Sequence, residues 1–138
     1  MSHFDAQRMQ GIYIKPTLGI SCVIAESEGH IVGFQSLEWS DPECAGADRI
    51  GTDWAFIASF VAPDNHDKGI GKRLFEHTKQ RALFASVNTI DATIGAVNDS
   101  GLRYYTRLGF IDHDRINASP LSDGTLIDRI RKKMHLLP

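Results

Sequence analysis

Trp54 to Val61 reads Trp-Ala-Phe-Ile-Ala-Ser-Phe-Val, a nearly unbroken apolar run that stops at Pro63 and passes through Asp64-Asn65-His66-Asp67-Lys68 into Gly69-Ile70-Gly71. Such a run suits a strand covered on both faces, since a strand half in water alternates apolar and polar residues. Pro63 ends it, because a proline in the next rung would leave a ladder donor missing. From Lys72 to Phe84, Leu74, Thr78 and Ala82 recur at helical spacing with Phe75 beside them, which predicts a helix with one buried face. Ile90, Ala92, Ile94 and Ala96 then alternate with Asp91, Thr93 and Gly95, predicting a strand that ends at Val97-Asn98. A crossover this short makes its two strands parallel, because the helix must return the chain to the same end of the sheet.

The flanks are antiparallel in character. Upstream, Cys22-Val23-Ile24-Ala25 and His30-Ile31-Val32-Gly33-Phe34 bracket the turn residues Glu28-Gly29, which predicts a β-hairpin. Before it, Phe4, Met9 and Ile12 line one side of a short helix that Gly11, Pro16 and Gly19 keep from extending, and Asp41 to Gly51 reads as an exposed loop. Downstream, Asp99 or Ser100 caps a second helix whose Leu102, Tyr105 and Leu108 form a stripe while Arg103 and Arg107 share another face. Gly109 closes that helix, and Phe110-Ile111 opens a strand. Ser122-Asp123-Gly124 turns the chain into a last strand with Leu126, Ile130, Met134 and Leu136 on even positions. Its odd positions Arg129, Arg131 and Lys133 read as the solvated face of an edge strand. The prediction is an α/β (α+β) fold. It has a single mixed, mostly antiparallel sheet with a central parallel strand-helix-strand crossover, in one domain spanning residues 1–138.

Composition narrows the function. Fifteen basic against seventeen acidic residues give a formal charge of −2, so the chain has no cationic surplus for a run of nucleic-acid phosphates. No stretch approaches the ~18 consecutive apolar residues of a membrane helix, so no membrane partner is expected. Cys22 and Cys44 are not in a metal-type spacing, and nothing at the N-terminus reads as an export signal, so the expected location is cytoplasmic. His3, His30, His66, His77, His113 and His135 lie at unrelated spacings, and Asp112-His113-Asp114 would have to turn adjacent side chains toward one ion. No metal is expected, and the histidines read as surface residues.

Gly69 and Gly71 stand where a strand gives way to a helix. Glycine there lets the backbone turn sharply and approach a ligand, and the free N–H groups at the helix start form an anion site. The alternative is that both glycines only shape a tight turn. Two phosphate motifs are excluded: Leu74 stands where a dinucleotide fingerprint needs its third glycine, and Lys72 is followed by Arg73 instead of the Ser or Thr of a P-loop. Four elements in order are Val61-Ala62-Pro63, His66-Asp67-Lys68-Gly69-Ile70-Gly71, Asn98, and Tyr105-Thr106-Arg107-Leu108-Gly109-Phe110. Together they resemble the GNAT superfamily of acyl-CoA-dependent N-acyltransferases over about residues 54 to 112. Asp123-Gly124-Thr125-Leu126-Ile127-Asp128 is similar to the branch containing phosphinothricin and L-amino-acid N-acetyltransferases. Three features depart from the family. His66-Asp67 replaces the usual Arg/Gln and Gly of the loop, which places a negative charge beside the phosphate site. The segment before the hairpin is shorter than usual, and Phe56 stands where relatives carry a Glu.

The resemblance implies acetyl-CoA as acyl donor, without a metal, and a primary amine of a small molecule, an amino acid or analogue, as acceptor. Attack is direct, in a ternary complex. It implies that Tyr105 protonates the departing thiolate, with Tyr104 the neighbouring alternative and a plain core role for Tyr105 the competing one. It places backbone groups of Phe60 and Val61 and the Asn98 side chain on the pantetheine arm, and amides of Lys68, Gly69, Gly71 and Lys72 on the pyrophosphate. Lys72, Arg73 and Arg107 are left for the adenosine phosphates or for a solvated helix face. Glu38, Asp53 or a water chain are the candidates for the base. With the short N-terminal part, the expectation is that part of the acceptor pocket is either missing or supplied by a partner subunit, as in a homodimer. Two further outcomes are a CoA-binding module without catalysis and a protein or peptide N-acetyltransferase.

Overall fold

A computed structural model describes residues 3–4, 18–40, 51–63 and 68–137. Its elements are β1 (His3–Phe4), β2 (Gly19–Ser27), β3 (His30–Trp39), β4 (Trp54–Val61), α1 (Ile70–Phe84), β5 (Thr89–Gly95), α2 (Asp99–Leu108), β6 (Ile111–Pro120) and β7 (Leu126–His135). The strands form one seven-stranded sheet in the order β1-β2-β3-β4-β5-β7-β6. Every pairing is antiparallel except β4 with β5, the two strands joined through α1. The predicted fold class is the observed one. The β2–β3 turn is Glu28-Gly29, with φ of 52° and 81°, the doubly left-handed geometry that matches strand twist in a two-residue hairpin.

Both helices cover the same face of the sheet. Leu37, Ala55, Ile57, Ile90, Ala92 and Ile94 of the strands pack with Phe75 and Ala82 of α1 and Tyr105 of α2. A second cluster sets Val23, Ala25 and Val32 against Ile70 and Leu74. Phe110, just past α2, packs edge-on against both Phe75 and Tyr105, with ring centroids 5.6 and 5.2 Å apart. α2 thereby locks onto α1 and the strands through aromatic edges.

Several expectations need correction. Trp54–Val61 is central, but only its first half is covered. Ala55 and Ile57 are buried, whereas Ala58 is exposed and Phe60 is 46% exposed, its ring stacked on Phe34. β7 is not an edge strand: it lies between β5 and β6, Arg131 is only 2% exposed, and Lys132 is buried and paired with Asp112. Alternation alone misled here, because β6 covers the flank that the basic residues were expected to guard. Phe4 lies in β1, not in a helix, while Met9, Ile12, the 41–50 loop, Cys44 and His66-Asp67 lie outside the described residues. Asn98, and neither Asp99 nor Ser100, caps α2. β5 ends at Gly95, before the predicted Val97-Asn98, because Asn98 is already committed to that cap.

Candidate functional site

The parallel ladder is short. Trp54, Ala55 and Phe56 pair with Thr89, Ile90 and Asp91, and there the pairing stops although β4 runs on to Val61 and β5 to Gly95. Beyond Phe56 the two strands diverge. From Ile57 to Phe60 the edge of β4 that faces β5 therefore has no ladder partner among the described residues. A backbone edge left open beside a half-exposed apolar side chain is a place where an extended ligand can take the missing hydrogen bonds.

α1 begins at one end of this opening. Its N-cap is Gly69, in the left-handed conformation at φ 75°, with no side chain among the described residues capping the first turn and no acidic residue within that turn. The first N–H groups of a helix have no intrahelical acceptor, and their dipole end favours an anion. Arg73 N bonds the Gly69 carbonyl at 3.1 Å, the start of the regular pattern. Lys68, Lys72 and Arg73 are exposed around the turn. By contrast α2 is closed to anions: Asn98 Oδ1 accepts from Gly101 N at 3.1 Å, and Asp99 puts a carboxylate in the first turn. The residues at the start of α1 thus fit a diphosphate group. Gly69 is required by its φ. Gly71 is required by packing, because a Cβ there would lie 2.7 Å from Cε1 of Tyr104.

A hydrogen-bonded chain crosses from the strands to the helices at the divergence. Gln35, fully buried on β3, donates from Nε2 to Ser59 Oγ at 2.9 Å and to the Tyr104 hydroxyl at 2.8 Å. Tyr104 in turn donates to the Gly71 carbonyl at 2.7 Å, tying α2 to the first turn of α1. Ser59 Oγ also meets the Tyr105 hydroxyl at 2.7 Å. Tyr105 is 5% exposed and packs in the core, yet its oxygen reaches β4 beyond the last parallel rung. Burial pushes the Tyr105 phenol well above the ordinary range, against the lowering effect of Ser59. Burial also pushes Tyr104 up to about 12, opposed by its bonds with Gln35 and Ser59. Both phenols are therefore protonated proton donors at neutral pH.

The predicted residues fall into three groups. Phe60, Val61 and Tyr105 surround the divergence, and Lys68, Gly69, Gly71, Lys72 and Arg73 surround the start of α1. Asn98 caps α2, with Ser100 Oγ also donating to its Oδ1 at 3.2 Å. Arg107 is exposed in the last turn of α2. Of the base candidates, Glu38 is half-buried on β3 opposite Phe56, and Asp53 is exposed in the turn before β4. Cys22 is buried, and burial raises its thiol, which leaves little thiolate for attack. Sequence reasoning missed Gln35 and Ser59, polar residues within largely apolar strands that the structure sets opposite each other. It also gave Asp91 no role and read His113 as a surface residue. The Asp91 side chain is fully buried, with Oδ1 2.7 Å from His113 Nε2 and Oδ2 accepting from Thr93 Oγ1 at 2.8 Å.

Comparisons with known proteins bear on this arrangement. The mycothiol acetyltransferase of Tsukamurella paurometabola is 26% identical over 90 residues, which are 65% of this chain and 28% of that protein, so the alignment spans little more than a quarter of the relative's length. The ribosomal-protein-alanine N-acetyltransferase of Brucella melitensis superposes with a TM-score of 0.70 at 22% identity, over 84% of this chain and 68% of that one. A phosphinothricin acetyltransferase of Sinorhizobium meliloti, solved in complex with acetyl-CoA, gives 0.69 at 21% identity over 85% and 61%. These two structures share the fold. The profile of the acetyltransferase (GNAT) domain family matches residues 19–112, from the start of β2 to the start of β6, and the chain belongs to that family.

Proposed function

We propose that the chain is an N-acetyltransferase that moves an acetyl group from acetyl-CoA to a primary amine of a small molecule, an amino acid or an analogue of one. The observation that carries this is the opening between β4 and β5, with the Ser59–Tyr105 pair on its helix side and the glycine-capped start of α1 at its end. In this assignment amides of Lys68, Gly69, Gly71 and Lys72 hold the pyrophosphate, and the open edge of β4 at Phe60 and Val61 holds the pantetheine arm. Lys72 and Arg73 meet the phosphates from solvent. Asn98 acts first as the cap that fixes α2, with its amide directed to the arm. The family relation supports the acyl donor, and the relatives named for phosphinothricin, mycothiol and ribosomal alanine acetylation support an amine acceptor.

The chemistry follows from the protonation states. A neutral amine attacks the thioester carbonyl, the N–C bond forms and the C–S bond breaks, and the thiolate needs a proton. Tyr105 supplies it, since its burial keeps the phenol protonated until the leaving sulfur comes within hydrogen-bond reach. Ser59 shares the phenol's hydrogen bond and orients it. Backbone donors on β4 stabilise charge developing on the carbonyl oxygen.

A thiol-release screen with acetyl-CoA against amino acids, polyamines, aminoglycosides and peptides tests the proposal. Turnover with at least one small amine, lost in Tyr105→Phe with CoA affinity retained, is the expected result. The second assignment is a CoA-binding module without turnover, favoured by Phe56, which leaves β4 without a carboxylate beside the opening. Silence across the amines with calorimetric CoA binding would select it.

A further inference from the structure

We propose that His113, oriented by Asp91, is the general base that receives the proton of the acceptor amine. The proposal rests on the N-acetyltransferase assignment above and names a residue for a step left open there. Asp91 sits opposite Phe56 on the last rung of the parallel ladder, at the point where β4 and β5 part. Its neighbours Ile90 and Ala92 face the helices, so Asp91 projects to the opposite face of the sheet, together with Trp54 and Phe56. Ser59 and Tyr105 lie on the helix face. The proton donor thus stands beyond the last parallel rung on the helix face, and the carboxylate–imidazole pair stands at that rung on the opposite face.

His113 reaches this place by a device of the backbone. Asp112 pairs with Lys132 and Asp114 with Arg131, so His113 is the extra residue of a bulge in β6. A bulge re-aims a side chain, and this one sends the imidazole across β7 to a carboxylate two strands away. Nε2 lies 2.7 Å from Asp91 Oδ1, and the ring meets the edge of Trp54 with centroids 5.4 Å apart. Thr93 Oγ1 occupies the other carboxylate oxygen. With Nε2–H given to Asp91, the lone pair lies on Nδ1, and no hydrogen bond among the described residues engages that atom. The His113 side chain keeps 15% of its surface exposed, whereas Asp91 keeps none. Burying a carboxylate for a single partly exposed imidazole is a poor stability device. It is the arrangement that holds a base in one tautomer and one orientation.

The surrounding charges are of both signs. Lys133 lies opposite Asp91 on β7 with Nζ 5.8 Å from the Trp54 ring centroid, and Arg131 lies opposite Thr93. His135 Nδ1 is 2.7 Å from Thr89 Oγ1, Glu38 lies opposite Phe56 on β3, and Asp112 and Asp114 flank His113 on its own strand. Of these, Asp91 is the one bonded to the imidazole. In the reaction the ammonium form of the acceptor gives one proton to Nδ1, which His113 later releases to solvent. The freed lone pair forms the N–C bond, and the C–S bond breaks. Tyr105 gives its phenolic proton to the thiolate and regains one, by way of solvent, from the new amide nitrogen. The net products are the amide, the free thiol and one proton.

The test is the pH dependence of kcat/KM for an amine that the screen identifies, in the full chain and in His113→Gln. The expected result is a fall of about 100-fold or more and loss of the acidic limb, with CoA affinity by calorimetry unchanged. Asp91→Asn, which keeps the imidazole but not its orientation, is expected to lower kcat more than it raises KM and to move the limb. Imidazole added to His113→Ala restores part of the rate. In the unmutated protein, diethyl pyrocarbonate abolishes turnover by modifying His113, and the amine protects. A His113→Gln enzyme that keeps its rate and its acidic limb, or inactivation that maps to another histidine, overturns this proposal alone. An unmutated chain that releases no thiol with any amine overturns the N-acetyltransferase assignment and this proposal with it.

Discussion

Gly71→Ala separates two reasons for a glycine in the first turn of α1, close approach of a phosphate and close approach of Tyr104. A Cβ at 71 would sit 2.7 Å from Cε1 of Tyr104, where ordinary contact begins at 3.4 Å, so the ring must move by some tenths of an ångström or more. Displacing it strains the hydroxyl's bond to the Gly71 carbonyl and the Gln35 bond behind it. Overpacking of this kind costs about 1–3 kcal/mol, and a weakened hydrogen bond adds about 1 kcal/mol. The helix preference of alanine returns about 0.5–1 kcal/mol. The expected net loss is about 1–3 kcal/mol, a fall in Tm of roughly 3–10 °C for a chain of this size. Urea unfolding of Gly71→Ala, Tyr104→Ala and the double variant measures the coupling. With Tyr104 removed, the alanine at 71 is expected to cost nothing or to stabilise by about 0.5 kcal/mol. An equal penalty in both backgrounds, or none in the unmutated one, would refute Tyr104 packing as the reason for the glycine.

Ser59→Ala removes the shared partner of Gln35 and Tyr105 and leaves a buried phenol unsatisfied, so a loss of about 1–3 kcal/mol is expected in urea unfolding. In an alkaline titration two of the three tyrosines, Tyr104 and Tyr105, are expected to ionise only as the protein unfolds. Their folded values are raised above the unfolded value near 10, so the stability they contribute is complete below about pH 10 and is lost as pH rises beyond it. Phenolate absorbance that rises for all three before the circular dichroism changes would contradict this. In a Cys44→Ser variant, Cys22 is expected to react with a thiol reagent at the rate of unfolding, since it is 1% exposed and its thiol is raised by burial. Rapid labelling of the folded chain would show otherwise.

What was legible in the sequence was local or periodic. The alternation of Ile90, Ala92 and Ile94, the helical stripe of Leu74, Thr78 and Ala82, and the Glu28-Gly29 turn each carry their own physics within a few residues, and each stands where it was expected. Gly69 at the helix start and Tyr105 against the divergence are residues that the motif resemblance singled out. The missing pieces depend on pairings distant in sequence. Ser59 and Gln35 meet Tyr105 and Tyr104 only because α2 packs over β3 and β4, and no spacing within one element reports that. Arg131 was assigned to solvent because strand order is not written in alternation, and β6 takes the edge that β7 was expected to hold. His113 was read as a surface residue because a bulge, which no pattern of polar residues announces, turns it onto Asp91.

Backbone amide chemical shifts recorded while acetyl-CoA is titrated into the isotopically labelled chain test the central assignment most directly. The expected result is saturable movement at Lys68 to Lys72 and at Ile57 to Val61, with the Ser59–Tyr105 hydroxyl exchange slowed or shifted, and little change at the capped start of α2. Saturation with perturbations confined to other surfaces, or none at all at concentrations where related acyltransferases are loaded, would contradict it.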